Sequence, residues 1–146
     1  MDAENPFLAT STDGIITDPM EGNGVLEIKC PMSHDSLETL VLTHKNFYLQ
    51  MNADGEISLK KTHQYYTQVQ FEMASTGCKW ADFVVFVLTD DCEGQDLHIE
   101  RIQFNERFWS KTFLPTLERF QLILVLELLS HHVRRGLALL PAGSSA

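Results

Sequence analysis

Hydrophobic and polar positions in the first part of the chain predict a β-hairpin. Within residues 24–31, apolar side chains alternate with Glu27 and Lys29, so the two charged side chains share one face of a strand. A second strand begins near Asp13, and a segment rich in proline and glycine separates the two strands. A hairpin of this kind can bring Asp13 and Glu27 together.

A second hairpin and a helix are predicted in the middle of the chain. Residues 47–51 and 56–60 have strand character and flank a turn that ends in Asp54-Gly55, which is ordinary hairpin-turn chemistry. A helix then begins at residue 62 or 63 and ends at Gly77, because glycine commonly follows the last helical turn.

The second half of the chain predicts a central strand, a neighbouring strand and a helical region. Residues 81–88 are apolar and β-branched without alternation, which is typical of a strand covered on both faces. Residues 97–104 alternate and form the next strand, after an acidic loop at 90–94. Helix resumes near Asn105, and Pro115 either kinks it or lies in the first turn of a second helix. This order predicts an α/β fold, a mixed β-sheet flanked by helices.

Length and composition are those of one ordinary domain. The chain has 146 residues, of which 44% are hydrophobic, and this suffices for a core. We predict a domain over residues 1–129 and a C-terminal tail over residues 130–146, where the sequence changes character. The apolar run at 122–126 is too short to span a membrane, so no membrane partner is predicted.

Cysteine use indicates a reducing compartment. The three cysteines are an odd number and lack C-x-x-C spacing, so neither a disulfide framework nor a zinc site is predicted. No signal peptide is recognisable, and we therefore expect an intracellular protein of the nucleus or cytoplasm.

The acidic charge argues against a general nucleic-acid binder. The formal net charge is -9, whereas phosphate binding normally needs a basic surface. A metal site is itself acidic, however, and several cations could form a local basic rim. These cations are Lys45, Lys60, Lys61, Lys79, Arg101 and Arg107. The charge therefore lowers the expected affinity for DNA without excluding DNA as a partner.

Candidate chemistry is concentrated in the first hairpin. Two carboxylates, Asp13 and Glu27, with the backbone carbonyl of Ile28 form an oxygen site suited to Mg²⁺ or Mn²⁺. Lys29 beside the metal can stabilise an attacking water or a pentacovalent phosphate, which is the chemistry of phosphodiester hydrolysis. The alternative is a solvated pair on an edge strand, since the E-x-K spacing is common by chance.

Three segments resemble, in order, successive motifs of the YqaJ viral recombinase family. They are residues 6–16 around Asp13, residues 24–31 around Glu27, and residues 65–70 around Gln68. This family is similar to phage lambda exonuclease and belongs to the PD-(D/E)XK nuclease superfamily. The resemblance extends from about Asn5 to about Leu129.

The resemblance implies a restriction-endonuclease-like fold and a metal-dependent DNA exonuclease or recombination nuclease, with 5′-to-3′ digestion of double-stranded DNA. A ring-like homo-oligomer is one assembly that it implies. It also implies Asp13, Glu27 and the Ile28 carbonyl as metal ligands, and Lys29 as the catalytic lysine. Gln68 would be the helix glutamine that orients the lysine or its water, and Gln70 is a weaker candidate.

Two features depart from the family pattern. Family members carry an N-terminal helical part before the aspartate motif, whereas this chain begins only a few residues before it, so we expect that part to be missing. Thr12 also replaces the usual proline, which loosens the turn but removes no ligand. The short start and the acidic charge keep a second hypothesis open: a catalytically inactive, nuclease-derived module that binds nucleic acid or protein.

Overall fold

The structure is a computed structural model and describes residues 8–88 and 95–138, so the predicted loop at 90–94 lies outside the described residues. The chain divides into two compact units, one up to Asn105 and one from Glu106. The first unit contains β1 (Gly14–Asp18), β2 (Gly22–Lys29), α1 (Leu37–Thr43), β3 (Leu49–Met51), β4 (Ile57–Leu59), α2 (Gln64–Thr76), β5 (Trp80–Leu88) and β6 (Gln95–Gln103).

The main sheet of the first unit has four strands in the order β1-β2-β5-β6. Strands β1 and β2 form the predicted antiparallel hairpin, β2 pairs with β5 in parallel, and β6 is antiparallel to β5. Parallel strands need a long crossover, and the segment between β2 and β5 contains helix α2, which packs against both strands. The predicted mixed sheet with flanking helices is thus confirmed.

The core lies between α2 and one face of the sheet. Val25 of β2, Phe83 of β5, and Val69 and Met73 of α2 are completely buried. The opposite face of β5 is only partly buried, so side chains along this strand alternate in exposure. The predicted burial of β5 on both faces is therefore wrong within the described residues, because Asp82 alone marks the partly buried face among apolar neighbours.

Local sequence signals fix the ends of α2. The His63 side chain accepts a hydrogen bond from the backbone N–H of Tyr65 and caps the N-terminus. Gly77 follows the helix with φ of 76°, a left-handed conformation that favours glycine. The helix predicted from residue 62 or 63 to Gly77 is therefore confirmed.

The second unit consists of helical segments. It contains α3 (Glu106–Phe108), a π-helical turn (Trp109–Phe113) and α4 (Leu114–Ala138). Pro115 lies in the first turn of α4, which is one of the two predicted alternatives. No helix in the described ranges is both long enough and apolar enough to cross a membrane.

The helix α4 continues past the predicted start of the C-terminal tail. Residues 130–138 belong to the same helix as the residues before them, although a tail was predicted from residue 130. Between Ser130 and Arg135 the sequence contains neither proline nor glycine, so the ordered helix extends at little cost per added residue.

Candidate active site

The first hairpin places Asp13 against the backbone of β2. The first residue of β1, Gly14, pairs with Leu26 of β2. Asp13 comes just before it, and its Oδ2 accepts a hydrogen bond of 2.7 Å from the backbone N–H of Ile28. The Asp13 carboxylate therefore accepts the hydrogen bond that a backbone carbonyl of a neighbouring strand would otherwise accept, and it lies beside β2, which carries Glu27.

Glu27 and Lys29 form an ion pair on the face of β2 that meets α2. Lys29 Nζ donates to Glu27 Oε1, and the Glu27 side chain is only 3% exposed. The Lys29 ammonium also lies 4.4 Å from the ring centroid of Tyr65, in a cation–π arrangement. The predicted common face of the two charged side chains is what the structure shows, and the ion pair is partly buried rather than fully solvated, since Glu27 is buried and Lys29 is half-buried.

Gln68 of α2 connects the two charged residues. Its Nε2 donates to Glu27 Oε1 at 2.7 Å, and its Oε1 lies 3.5 Å from Lys29 Nζ. The structure therefore brings together Glu27, Lys29 and Gln68 by direct contact. Asp13 joins them through the backbone of Ile28.

Glu72 is a fifth polar residue at this site, and the sequence did not identify it as one. Gln68 Nε2 donates to Glu72 Oε1 at 2.9 Å, and the Glu72 side chain is completely buried. The available signal was the spacing of four residues from Gln68, which places both on one face of a helix. Only the position of α2 over β2 makes this face part of the site.

Burial raises the pKa of Glu72 to about 7, against a hydrogen bond from Gln68 that lowers the pKa, while the charge of Glu27 raises it further. The folded protein binds the Glu72 proton more tightly than the unfolded chain does. The contribution of neutral Glu72 to the free energy of unfolding therefore falls as pH rises from about 4.5 to about 7.

We expect Glu72→Gln to remove this pH dependence. The free energy of unfolding of the parent should fall relative to that of the variant by about 2–3 kcal/mol between pH 5 and pH 8. Urea denaturation of both proteins at the two pH values measures the difference, and other ionisable groups cancel in the comparison. A constant difference across this range would contradict the raised pKa.

The oxygen atoms at the end of the first hairpin fit a hard divalent cation. Asp13 and Glu27 supply carboxylates, and the hydrogen bonds that Glu27 accepts from Lys29 and Gln68 both go to its Oε1. Residues 8–88 and 95–138 contain no group of three or more His, Cys, Asp or Glu side chains that could hold a metal ion. A site here therefore depends on two carboxylates and a backbone carbonyl, a donor set typical of Mg²⁺ or Mn²⁺.

Gln70 has a structural position. It is completely buried, donates to the backbone oxygen of Gln103 at 3.1 Å and accepts from the backbone N–H of Asn105 at 2.7 Å. These bonds tie α2 to the end of β6. Gln70 therefore does not join the site around Gln68.

Two cations of the expected basic rim are engaged within the protein. Arg101 bonds the carboxylates of Asp82, Asp18 and Glu21 and lies over the Trp80 ring. Lys60 Nζ donates to two backbone carbonyl oxygens. Their charge is therefore partly satisfied internally, and the rim has less free positive charge than the sequence suggests.

Comparison with known proteins gives one family match. The family model described as the YqaJ-like viral recombinase domain matches residues 1–79, which is more than half of the 146-residue chain. That segment contains Asp13, Glu27, Lys29, Gln68 and Glu72. No curated protein matches the chain.

Among solved structures, the chain is similar to an alkaline exonuclease (LHK-Exo) from Laribacter hongkongensis. The sequences are 22% identical, and the match covers 93% of this chain and 69% of that chain with a TM-score of 0.47.

Proposed function

Because the chain belongs to the YqaJ-like viral recombinase domain family, we propose that it is a metal-dependent deoxyribonuclease that hydrolyses phosphodiester bonds. The observation that supports this most is the bonded group of Glu27, Lys29 and Gln68 beside Asp13. It combines oxygen ligands for a metal ion with a positioned cation. Both can stabilise the negative charge that develops on a phosphate under attack.

Asp13, Glu27 and the Ile28 carbonyl would hold Mg²⁺ or Mn²⁺. When bound, such an ion lowers the pKa of a coordinated water and neutralises charge on the phosphate. Asp13 is held by the backbone N–H of Ile28, so its carboxylate is oriented without the ion. This orientation reduces the entropy that metal binding has to offset.

Lys29 would donate a hydrogen bond to the attacking water or to a phosphate oxygen. Glu27, Gln68 and the Tyr65 ring restrict where its ammonium can lie. A cation that is already positioned stabilises the transition state without further reorganisation. Gln68 in this proposal supports Lys29 and does not react itself.

The proposal extends to the substrate and to the direction of digestion. We assign exonucleolytic, 5′-to-3′ action on double-stranded DNA, in recombination or repair, because the family is similar to phage lambda exonuclease. A ring-like homo-oligomer belongs to the same proposal.

Linear duplex DNA labelled at either the 5′ or the 3′ terminus tests this proposal. In the presence of Mg²⁺ or Mn²⁺ we expect the 5′ label to leave as mononucleotide before the 3′ label, and no release with EDTA. Circular duplex of the same sequence is the control, because an exonuclease leaves it intact. Earlier loss of the 3′ label would overturn the direction, and cutting of the circle would overturn the exonuclease assignment.

The second candidate is an interaction module without turnover. The charge of -9 and the internal bonding of Arg101 and Lys60 favour it, since both reduce the attraction of the surface for DNA. The same assay distinguishes the two functions. A folded protein that releases no nucleotide with metal present, whether or not it retards the duplex on a gel, is the module.

A further inference from the structure

Glu72 is buried at the site without a direct role in the proposed chemistry. Its side chain is completely buried, and its Oε2 has no hydrogen-bond partner among residues 8–88 and 95–138. A buried carboxyl group with an unpaired oxygen costs free energy. Its one hydrogen bond, from Gln68 to Oε1, is therefore the contact through which it can contribute to the site.

The amide of Gln68 has a fixed orientation because both of its N–H groups have acceptors. A primary amide has two N–H donors and one carbonyl oxygen. Glu27 Oε1 lies 2.7 Å and Glu72 Oε1 lies 2.9 Å from Gln68 Nε2. The carbonyl oxygen must then point away from both carboxyl groups, and it lies 3.5 Å from Lys29 Nζ.

One acceptor alone would leave this orientation less defined. With Glu27 as the only acceptor, the Gln68 amide can rotate about its hydrogen bond to Glu27 without breaking that bond. The second acceptor removes this freedom, and the α2 helix holds it in place because Gln68 and Glu72 are four residues apart on one face. Glu72 bonds Gln68 and not Lys29, so any effect on the lysine passes through the amide.

We propose that Glu72 is a positioning residue that accepts one Gln68 N–H and thereby holds the Gln68 carbonyl oxygen toward the Lys29 ammonium. This inference rests on the proposed function, in which the position of Lys29 matters for phosphodiester hydrolysis. The two residues that position Lys29 through the amide, Gln68 and Glu72, then both lie on α2.

Two substitutions separate the acceptor oxygen from the carboxyl charge. Glu72→Gln keeps an oxygen that can accept from Gln68, and we expect kcat within about threefold of the parent. Glu72→Met has similar size but no strong acceptor, and we expect kcat to fall about tenfold to a hundredfold with KM unchanged, as for other supporting hydrogen bonds around catalytic groups. Ser75→Ala is the matched control, because Ser75 is a buried polar residue of α2 whose Oγ has no partner in the described ranges.

A double-mutant cycle tests whether the effect passes through Gln68. In a Gln68→Met background, we expect Glu72→Met to change kcat less than twofold, because the amide that it holds is gone. Equal losses in both backgrounds would overturn the proposal, since Glu72 would then act independently of Gln68.

Nuclear magnetic resonance of the metal-free protein gives a readout that does not need catalysis. In ¹H–¹⁵N spectra we expect both side-chain N–H protons of Gln68 to have the chemical shifts of hydrogen-bonded protons in the parent and in Glu72→Gln. In Glu72→Met we expect one of the two protons to lose that chemical shift. Unchanged Gln68 signals in Glu72→Met would overturn the positioning role. The spectra decide this even for a protein that releases no nucleotide, in which case the proposed function alone fails.

Discussion

Lys29→Met is expected to lower kcat for nucleotide release from linear duplex DNA about a thousandfold while the protein stays folded. Methionine keeps most of the length of the side chain and removes the ammonium that lies between Glu27, Gln68 and the Tyr65 ring. Removing one preorganised charge stabiliser of a transition state costs about a hundredfold to a thousandfold in kcat. The assay is initial-rate release of acid-soluble nucleotide with saturating Mg²⁺.

Lys111→Met is the matched control for this substitution. Lys111 is an exposed lysine outside both the bonded group and the predicted basic rim, so its loss removes the same net charge without altering the site. We expect its kcat to remain within about twofold of the parent, and circular dichroism should give the same spectrum for all three proteins. Equal activity of both variants would exclude Lys29 from the chemistry.

Gly24→Ala is expected to destabilise the fold by about 2–3 kcal/mol, although it adds a single methyl group. A Cβ atom at Gly24 would overlap the ring of Trp80 on the neighbouring strand, and Trp80 is only 1% exposed. The ring cannot move without disturbing other core contacts, and overpacking of this kind costs about 1–3 kcal/mol. Urea denaturation measures the change in free energy of unfolding.

Gly14→Ala provides the comparison within the same hairpin. A Cβ atom at Gly14 would meet the Leu26 side chain at 3.5 Å, which is ordinary van der Waals contact. Because alanine restricts the unfolded chain more than glycine does, we expect this variant to be as stable as the parent or slightly more stable. Equal destabilisation by both substitutions would contradict the contact between Gly24 and Trp80.

Sequence signals located the elements that depend on local chemistry. The Asp54-Gly55 turn and the Gly77 helix end were predicted because glycine permits conformations that other residues avoid, and both have positive φ in the structure. The face shared by Glu27 and Lys29 followed from strand periodicity alone. These features require only neighbours in sequence.

Features that depend on packing between elements were not predictable in this way. Glu72 joins the site only because α2 lies over β2, and the sequence of α2 does not show which of its faces meets the sheet. Partial exposure of one face of β5 was missed because Asp82 is the one polar residue on that face and the other residues of the strand are apolar. Arg101 was expected to be free, and its carboxylate partners come from β5 and from the first hairpin.

The role of Asp13 and Glu27 as metal ligands and of Lys29 as the catalytic lysine remains a prediction, as does the intracellular location. The geometry supports the assignment by bringing Glu27, Lys29 and Gln68 into contact and by placing Asp13 on the adjacent backbone. Glu27 is central because it contacts both Lys29 and Gln68.

Nucleotide release from linear duplex DNA by the parent and by Glu27→Gln, each with Mg²⁺ and with EDTA, tests the nuclease assignment most directly. Glutamine keeps the size of the side chain but loses the charge that a divalent cation requires. We expect release only by the parent and only with Mg²⁺, while both proteins have the same circular dichroism spectrum. Release that persists in EDTA or in the folded Glu27→Gln variant would contradict a metal-dependent nuclease built on this site.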